Sequence, residues 1–376
     1  MSTAISDSPK SDARSVRKAS LAKQRTNERL STVDVVIPSY NYARYLSGCV
    51  ASVLEQPEVE VRVLIIDDAS SDNTAQVGEA LAASDSRVEF CRHKVNKGNI
   101  ATYNEGLIDW STADYTVLLS ADDLLAPGSL GRAVRIMNAD DRIGMVYGST
   151  IHFKQESELP RASGWKFAYN RWSGAEWLNG RCRAGHNVIT SPEVVVRGIV
   201  QRAVGGYRPE LPHAGDLEMW LRIAAVSDIA YVRHVPQAYY RVHPHSMMRT
   251  VYKGSFLDLR QRKEAFDAFF RHHRHIVTET DRLYESANRA LAREALWDAC
   301  RAYDRNQVEA SSAEQLIEFA RSTYAGVSRL PEYSALLRRQ TLGPILCNRT
   351  QVFAVPALVR KIRRWALKER WKRQGV

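Results

Sequence analysis

Residues 33–74 read VDVVIPSYNYARYLSGCVASVLEQPEVEVRVLIIDDASSDNT. Two short runs rich in β-branched residues, VDVVI and VRVLII, flank a stretch from Ala43 to Leu54 with helical spacing. The alternation continues with a helix around Thr74 to Ala83, then RVEF, then a helix near Ile100 to Trp110. YTVLL, a helix from Pro127 to Met137 and GMVYG follow. Apolar strands separated by helices must be covered on both faces. The pattern therefore predicts an α/β fold with a mostly parallel, Rossmann-like sheet flanked by helices and right-handed crossovers. Such sheets bind ligands at the carboxyl ends of strands, where the strand order reverses.

Outside that block the text changes. Residues 1–30 are rich in Ser, Lys and Arg without periodicity and read as a mobile basic tail. The α/β unit is expected over 31–250. Helical text such as DLRQRKEAFDAFFRHH and ANRALAREALWDACRAYD predicts a helical C-terminal region over 251–376. From Arg360 onward eight Lys and Arg stand against one Glu, with Leu358, Ile362, Trp365 and Trp371 in or beside that run. Such a segment suits a solvated helix end packed on its neighbours, or a helix in peripheral contact with an anionic membrane.

Composition narrows the class. At 376 residues, with 44% hydrophobic and 25% charged residues, the chain can bury a sizeable core and does not read as disordered. Five scattered cysteines without a CxxC pair argue against a disulfide framework or a zinc knuckle and fit a reducing cytoplasm. No apolar run approaches the roughly 20 residues of a membrane span, and the N-terminus has no apolar signal core. The net charge of +11 concentrates at the two ends, so specific nucleic-acid recognition is not expected.

Three loops follow successive strands and carry the polar chemistry. In Pro38-Ser39-Tyr40-Asn41-Tyr42 an aromatic ring at a strand end could stack on a base, or simply form a turn. In Asp67-Asp68-Ala69-Ser70-Ser71-Asp72-Asn73-Thr74, Asp68 is placed to accept hydrogen bonds from a nucleoside, and Asp72 to cap the next helix. In Ser120-Ala121-Asp122-Asp123 adjacent carboxylates repel each other, which suggests a compensating hard cation, Mg2+ or Mn2+. All three loops would face one crevice.

SYNYARYL, IIDDASSDNT, NKGNIATYNEGL and LLSADDLLAPGSL together resemble the inverting glycosyltransferases of family 2, of GT-A type, and the resemblance runs from about Val33 to Met248. It implies a nucleoside diphosphate sugar donor, foremost UDP, with Pro38, Ser39 and Tyr40 beside the base and Asp68 on the pyrimidine. It further implies Lys97 and Asn104 at the nucleotide's other edge and Asp122 and Asp123 on ribose and metal. Ser120 stands where the commoner pattern begins with an acid, so either Asp122 or Asp123 could be the direct ligand. LPHAGDLEMWLRIA resembles the segment carrying the general base, at Asp216, though Asp216 could also cap that helix. YRVHPHSMM offers His243 as a further metal ligand, ahead of His245, and Arg241 as a phosphate partner.

His213, His186 and Asn187 are candidates to line the acceptor pocket. Of Trp165, Trp172 and Trp177, at least two are expected in the core. The acceptor could be a glycan, a lipid-linked glycan or a small-molecule natural product. A sugar nucleotidyltransferase would need a Gly-rich basic loop where this chain reads PSYNYARYL. A noncatalytic nucleotide- or carbohydrate-binding module would not need Asp123 and Asp216 together.

Overall fold

The computed structural model describes residues 29–160, 166–244 and 255–376. The basic tail lies outside the described residues up to 28, as do Trp165 and His245. Strands β1 (Thr32–Ser39), β2 (Glu60–Asp67), β3 (Val88–Arg92) and β4 (Tyr115–Leu118) pair in parallel in the order β3-β2-β1-β4. Helices α1 (Ala43–Leu54), α2 (Thr74–Ser84) and α3 (Asn99–Asn104) make the crossovers, and α3 runs on as a π-helical segment over Glu105–Trp110. At Gly106 a Cβ would lie 2.2 Å from Val36 Cγ1, so only glycine lets this segment lie against β1. The strand order reverses at β1, with β2 on one side and β4 on the other.

Beyond β4 the sheet becomes mixed. β5 (Leu124–Leu125), β6 (Ile143–Phe153), β7 (Ala168–Trp172), β8 (Val195–Arg197) and β9 (Asp228–Arg241) extend it as β4-β8-β6-β9-β5, with β7 also on β9. β8 is antiparallel to β4 and β6, whereas β6 and β9 are parallel to each other. The predicted parallel order thus describes the first half, and the rest is the long parallel pair β6 and β9 with the short strands β5, β7 and β8 antiparallel to it.

Alternate residues of β1 and β2 feed two cores. Val35, Ile37, Val63 and Ile65 pack with Leu46 and Val50 of α1 and with Leu130 and Val134 of α4 (Ser129–Ala139). Val36, Leu64 and Ile66 face a second core. It contains Trp177 of α5 (Gly174–Ala184) and Leu217 and Trp220 of α7 (Gly215–Val226), with the short α6 (Gly198–Val204) between them in sequence. The helical region supplies α8 (Ser255–His273), α9 (Thr280–Asp304), α10 (Ala313–Thr323), α11 (Pro331–Leu342), α12 (Pro344–Thr350) and α13 (Ala354–Gln374). Its Phe266, Leu291 and Leu296 belong to that same second core, so the helices continue the α/β unit without a seam. Trp177 is fully buried, as the core reading expects, while Trp172 is half-buried.

α13 is held mainly near its ends. Arg360 lies 4.0 Å over the Trp297 ring. The Lys372 carbonyl accepts the Tyr231 hydroxyl at 2.7 Å, and the Gln374 carbonyl accepts Trp172 Nε1 at 3.1 Å. Gly375 follows at φ +82°, with its carbonyl bonded by the buried Tyr147 hydroxyl. A Cβ at Gly375 would lie 2.3 Å from the Tyr231 ring, so the close approach requires glycine.

Candidate active site

The loops after β1 and β2 are tied together by their own side chains. Asn41 adopts φ +60°, and its Oδ1 accepts the N–H of Ser71 at 2.8 Å and of Asp72 at 3.3 Å. Its own N–H donates to Ser70 Oγ at 2.8 Å. Asp72 accepts from the N–H of Ala43 at 3.2 Å and of Thr74 at 3.0 Å, the first residues of α1 and α2. One carboxylate therefore satisfies orphan donors at two helix starts.

Asp68 organises the loop after β3. Its Oδ1 accepts the Lys97 N–H at 2.7 Å and faces His93 Nδ1 at 2.7 Å, and its Oδ2 accepts the Gly98 N–H at 2.9 Å. Lys97 itself turns to Glu105, with Nζ at 2.8 Å from Oε2. Asn104 acts as a clip: its Oδ1 accepts the Tyr207 N–H at 2.6 Å and its Nδ2 donates to the Tyr207 carbonyl at 2.8 Å.

The acidic loop after β4 rests on the end of β9. The Arg241 N–H donates to Asp123 Oδ1 at 2.8 Å, its Nε to the Asp122 carbonyl at 2.9 Å, and its Nη2 to Glu156 Oε1 at 2.6 Å. The guanidinium also lies between the rings of Tyr45, at 4.6 Å, and Phe153, at 4.4 Å. His243 Nε2 lies 2.9 Å from Asp122 Oδ2, packed by the rings of Tyr42 and Tyr45. Burial and the charge of Asp122 push the Asp123 carboxyl well above the usual carboxylate range.

Asp216 lies across the cavity, in the first turn of α7. Ala214 is the N-cap and no side chain caps this helix, so the capping role considered for Asp216 is not what its side chain does. Its carboxylate accepts the Ser191 hydroxyl and also a hydrogen bond from Tyr207. Burial raises its pKa, and both hydroxyls oppose that rise by favouring the charged form. Neither partner is recognisable from the sequence, because the fold alone brings them to Asp216. His213 bonds Asp258 of α8 at 3.2 Å, and His186 and Asn187 line the same cavity.

Pro38, Ser39, Tyr40, Asp68, Asp122, Asp123 and Asp216 all line one cavity of about 4090 Å³. That is several times the roughly 300–1,000 Å³ of a typical small-ligand site, leaving room for two substrates. Tyr40 is half-exposed there. Lys97, Asn104, Arg241 and His243 are not among the residues lining it. They brace the loops that do, since a buried backbone group or carboxylate needs a partner as much as a ligand does.

Residues with hard oxygen donors suit a divalent ion at the acidic loop. Among the described residues no group of three or more His, Cys, Asp and Glu side chains is arranged to hold a metal. The loop instead offers two adjacent carboxylates, one of them strained by the other's charge, which matches an ion completed by substrate phosphates.

A Rossmann-like sheet with acidic loops gathered at its switch point defines a GT-A type of protein. Residues 34–195 match the family model Glycosyl transferase family 2 and form a domain of that family. An uncharacterised glycosyltransferase of Nostoc sp. is 30% identical over 131 residues, which are 35% of this chain and 40% of that protein. Chondroitin synthase of Escherichia coli is 26% identical over 220 residues, 58% of this chain and 30% of the synthase. The chain thus spans less than half the length of either relative. Among solved structures, S. aureus TarS aligns with a TM-score of 0.54 at 15% identity, covering 81% of this chain and 55% of TarS. TarS residues 1–349 in complex with UDP-GlcNAc align with a TM-score of 0.51 at 14% identity, covering 79% and 92%.

Proposed function

We propose that the chain is a metal-dependent inverting glycosyltransferase. It would move a sugar from a nucleoside diphosphate sugar, foremost a UDP sugar, to a hydroxyl or amine of a glycan, a lipid-linked glycan or a small molecule. The observation that carries the reading is the shared cavity, in which Asp68, Asp122 and Asp123 lie at strand ends and Asp216 faces the same space from α7. Tyr40 would stack on the base and Asp68 would stand at its edge. Asp122 and Asp123 would hold Mg2+ or Mn2+, which neutralises charge on the departing diphosphate. His243 would hold Asp122 in place, and Arg241 would set the loop that carries both acids.

Inversion takes one displacement. The acceptor oxygen or nitrogen attacks the anomeric carbon as the bond from that carbon to the diphosphate oxygen breaks, and the electron pair leaves on the diphosphate. Asp216 takes the acceptor's proton on the opposite side. A raised pKa makes it a better base, and the Ser191 and Tyr207 hydroxyls favour its charged form. A nucleotidyltransferase has no comparable need of Asp216.

The test is a thermal-shift screen of UDP-, GDP-, dTDP- and CDP-sugars with Mn2+ and with a chelator. Stabilisation by one nucleotide series that disappears on chelation is expected. No stabilisation by any of them would refute the donor reading.

A further inference from the structure

We infer that α13 is a membrane-surface helix that docks the protein on anionic phospholipid through its exposed apolar stripe and the basic residues beside it. The helix carries Val355, Leu358, Val359, Ile362 and Trp365, and at helical spacing these fall within a stripe of about 120°. Val355, Ile362 and Trp365 are 71%, 54% and 64% exposed. An apolar stripe with nothing packed on it is unusual in a surface helix, whose apolar side normally faces the core. Ile345, Leu346 and Val352, also exposed, lie just before the helix. Large exposed apolar side chains among the described residues thus concentrate at this end of the molecule.

Charge identifies what covers the stripe. Between Arg360 and Arg373 the helix has eight Lys and Arg and one acid, Glu369. Lys361 and Arg363 lie on its two flanks. A second copy docked stripe to stripe would bring these like charges together, whereas an anionic bilayer surface attracts them. Trp365 beside Ile362 gives the amphipathic aromatic that settles at headgroup depth. Leu358 and Trp365 of the stripe, Lys361 and Arg363 beside it, and Arg364 and Lys368 all line the cavity that holds Asp216. Docking by the stripe would therefore place that wall of the cavity against the membrane.

The test is co-sedimentation of the full chain with vesicles of phosphatidylcholine alone or mixed equally with phosphatidylglycerol. Binding is expected to the anionic vesicles, to weaken strongly between roughly 50 and 500 mM salt, and to be absent from phosphatidylcholine. Ile362→Glu with Trp365→Glu should reduce partitioning at least about tenfold. Lys361→Gln and Arg363→Gln should each reduce it roughly fivefold. These side chains are exposed, so the melting temperature of the protein alone should not change. The wild-type response of that temperature to nucleotide sugar separates a failure here from a failure of the transferase reading. Wild-type protein that ignores phosphatidylglycerol vesicles, or a double variant that still binds them, would overturn the proposal. So would a wild-type dimer in sedimentation velocity that the double variant dissolves, because a second copy would then cover the stripe.

Discussion

Replacing Asn104 with alanine removes both hydrogen bonds by which the amide holds the backbone of Tyr207, at 2.6 and 2.8 Å, and leaves a buried N–H and a carbonyl without partners. Each such group costs about 1–3 kcal/mol, so a loss of roughly 2–4 kcal/mol in unfolding free energy is expected after partial relaxation. The strain falls on the stretch leading from Gly206 to Asp216, since Gly206 packs against the Asn104 amide and the Tyr207 side chain bonds Asp216. Transfer should therefore fall through misplacement of Asp216, while the dissociation constant for the donor nucleotide stays within about threefold. Urea unfolding followed by circular dichroism gives the first quantity, and calorimetric titration of UDP with Mn2+ gives the second. Unchanged stability with a large loss of nucleotide affinity would refute the clip and restore Asn104 as a nucleotide contact.

Asp216→Asn should keep its fold and donor binding but lose about 10²–10⁴-fold in turnover, measured by nucleotide release with a competent acceptor; transfer within tenfold of wild type would remove Asp216 from the mechanism. The acidic limb of the rate profile should follow Asp216, with activity falling as pH drops through its raised pKa and the carboxylate protonates. Tyr207→Phe removes a donor that favours the charged form, so that limb should move to higher pH; a shift to lower pH would contradict the geometry. Asp72→Ala strips a partner from the starts of α1 and α2 and should cost about 1–3 kcal/mol in urea unfolding.

The strands β1 to β4 were legible because their apolar runs serve two cores at once, Val35 and Ile37 on one face and Val36 on the other. β5, β7 and β8 span two, five and three residues, too few for a period to show, and they exist because longer neighbours supply their partners. Asp68, Asp122 and Asp123 could be read because their loops follow strands, whereas Asp216, in the first turn of α7, stood out only through the family resemblance. Arg241, Asn104 and His243 also stand near those loops, but in a sequence a polar side chain that will bond a ligand looks the same as one that will bond a loop. The difference lies in contacts across more than a hundred residues: Asn104 to Tyr207, Arg241 to Asp123, His243 to Asp122. Ser191 and Tyr207 escaped notice for the same reason.

The second core, in which Trp177 and Trp220 of the sheet-facing helices pack with Phe266, Leu291 and Leu296, has a consequence for anyone dissecting the molecule. A fragment cut after β9 would retain Asp68, Asp122, Asp123 and Asp216 yet leave one whole side of its scaffold bare to water. Such a piece should aggregate or refuse to fold, and melting of the intact protein should be a single transition in which the chemistry and the helices behind it are lost together.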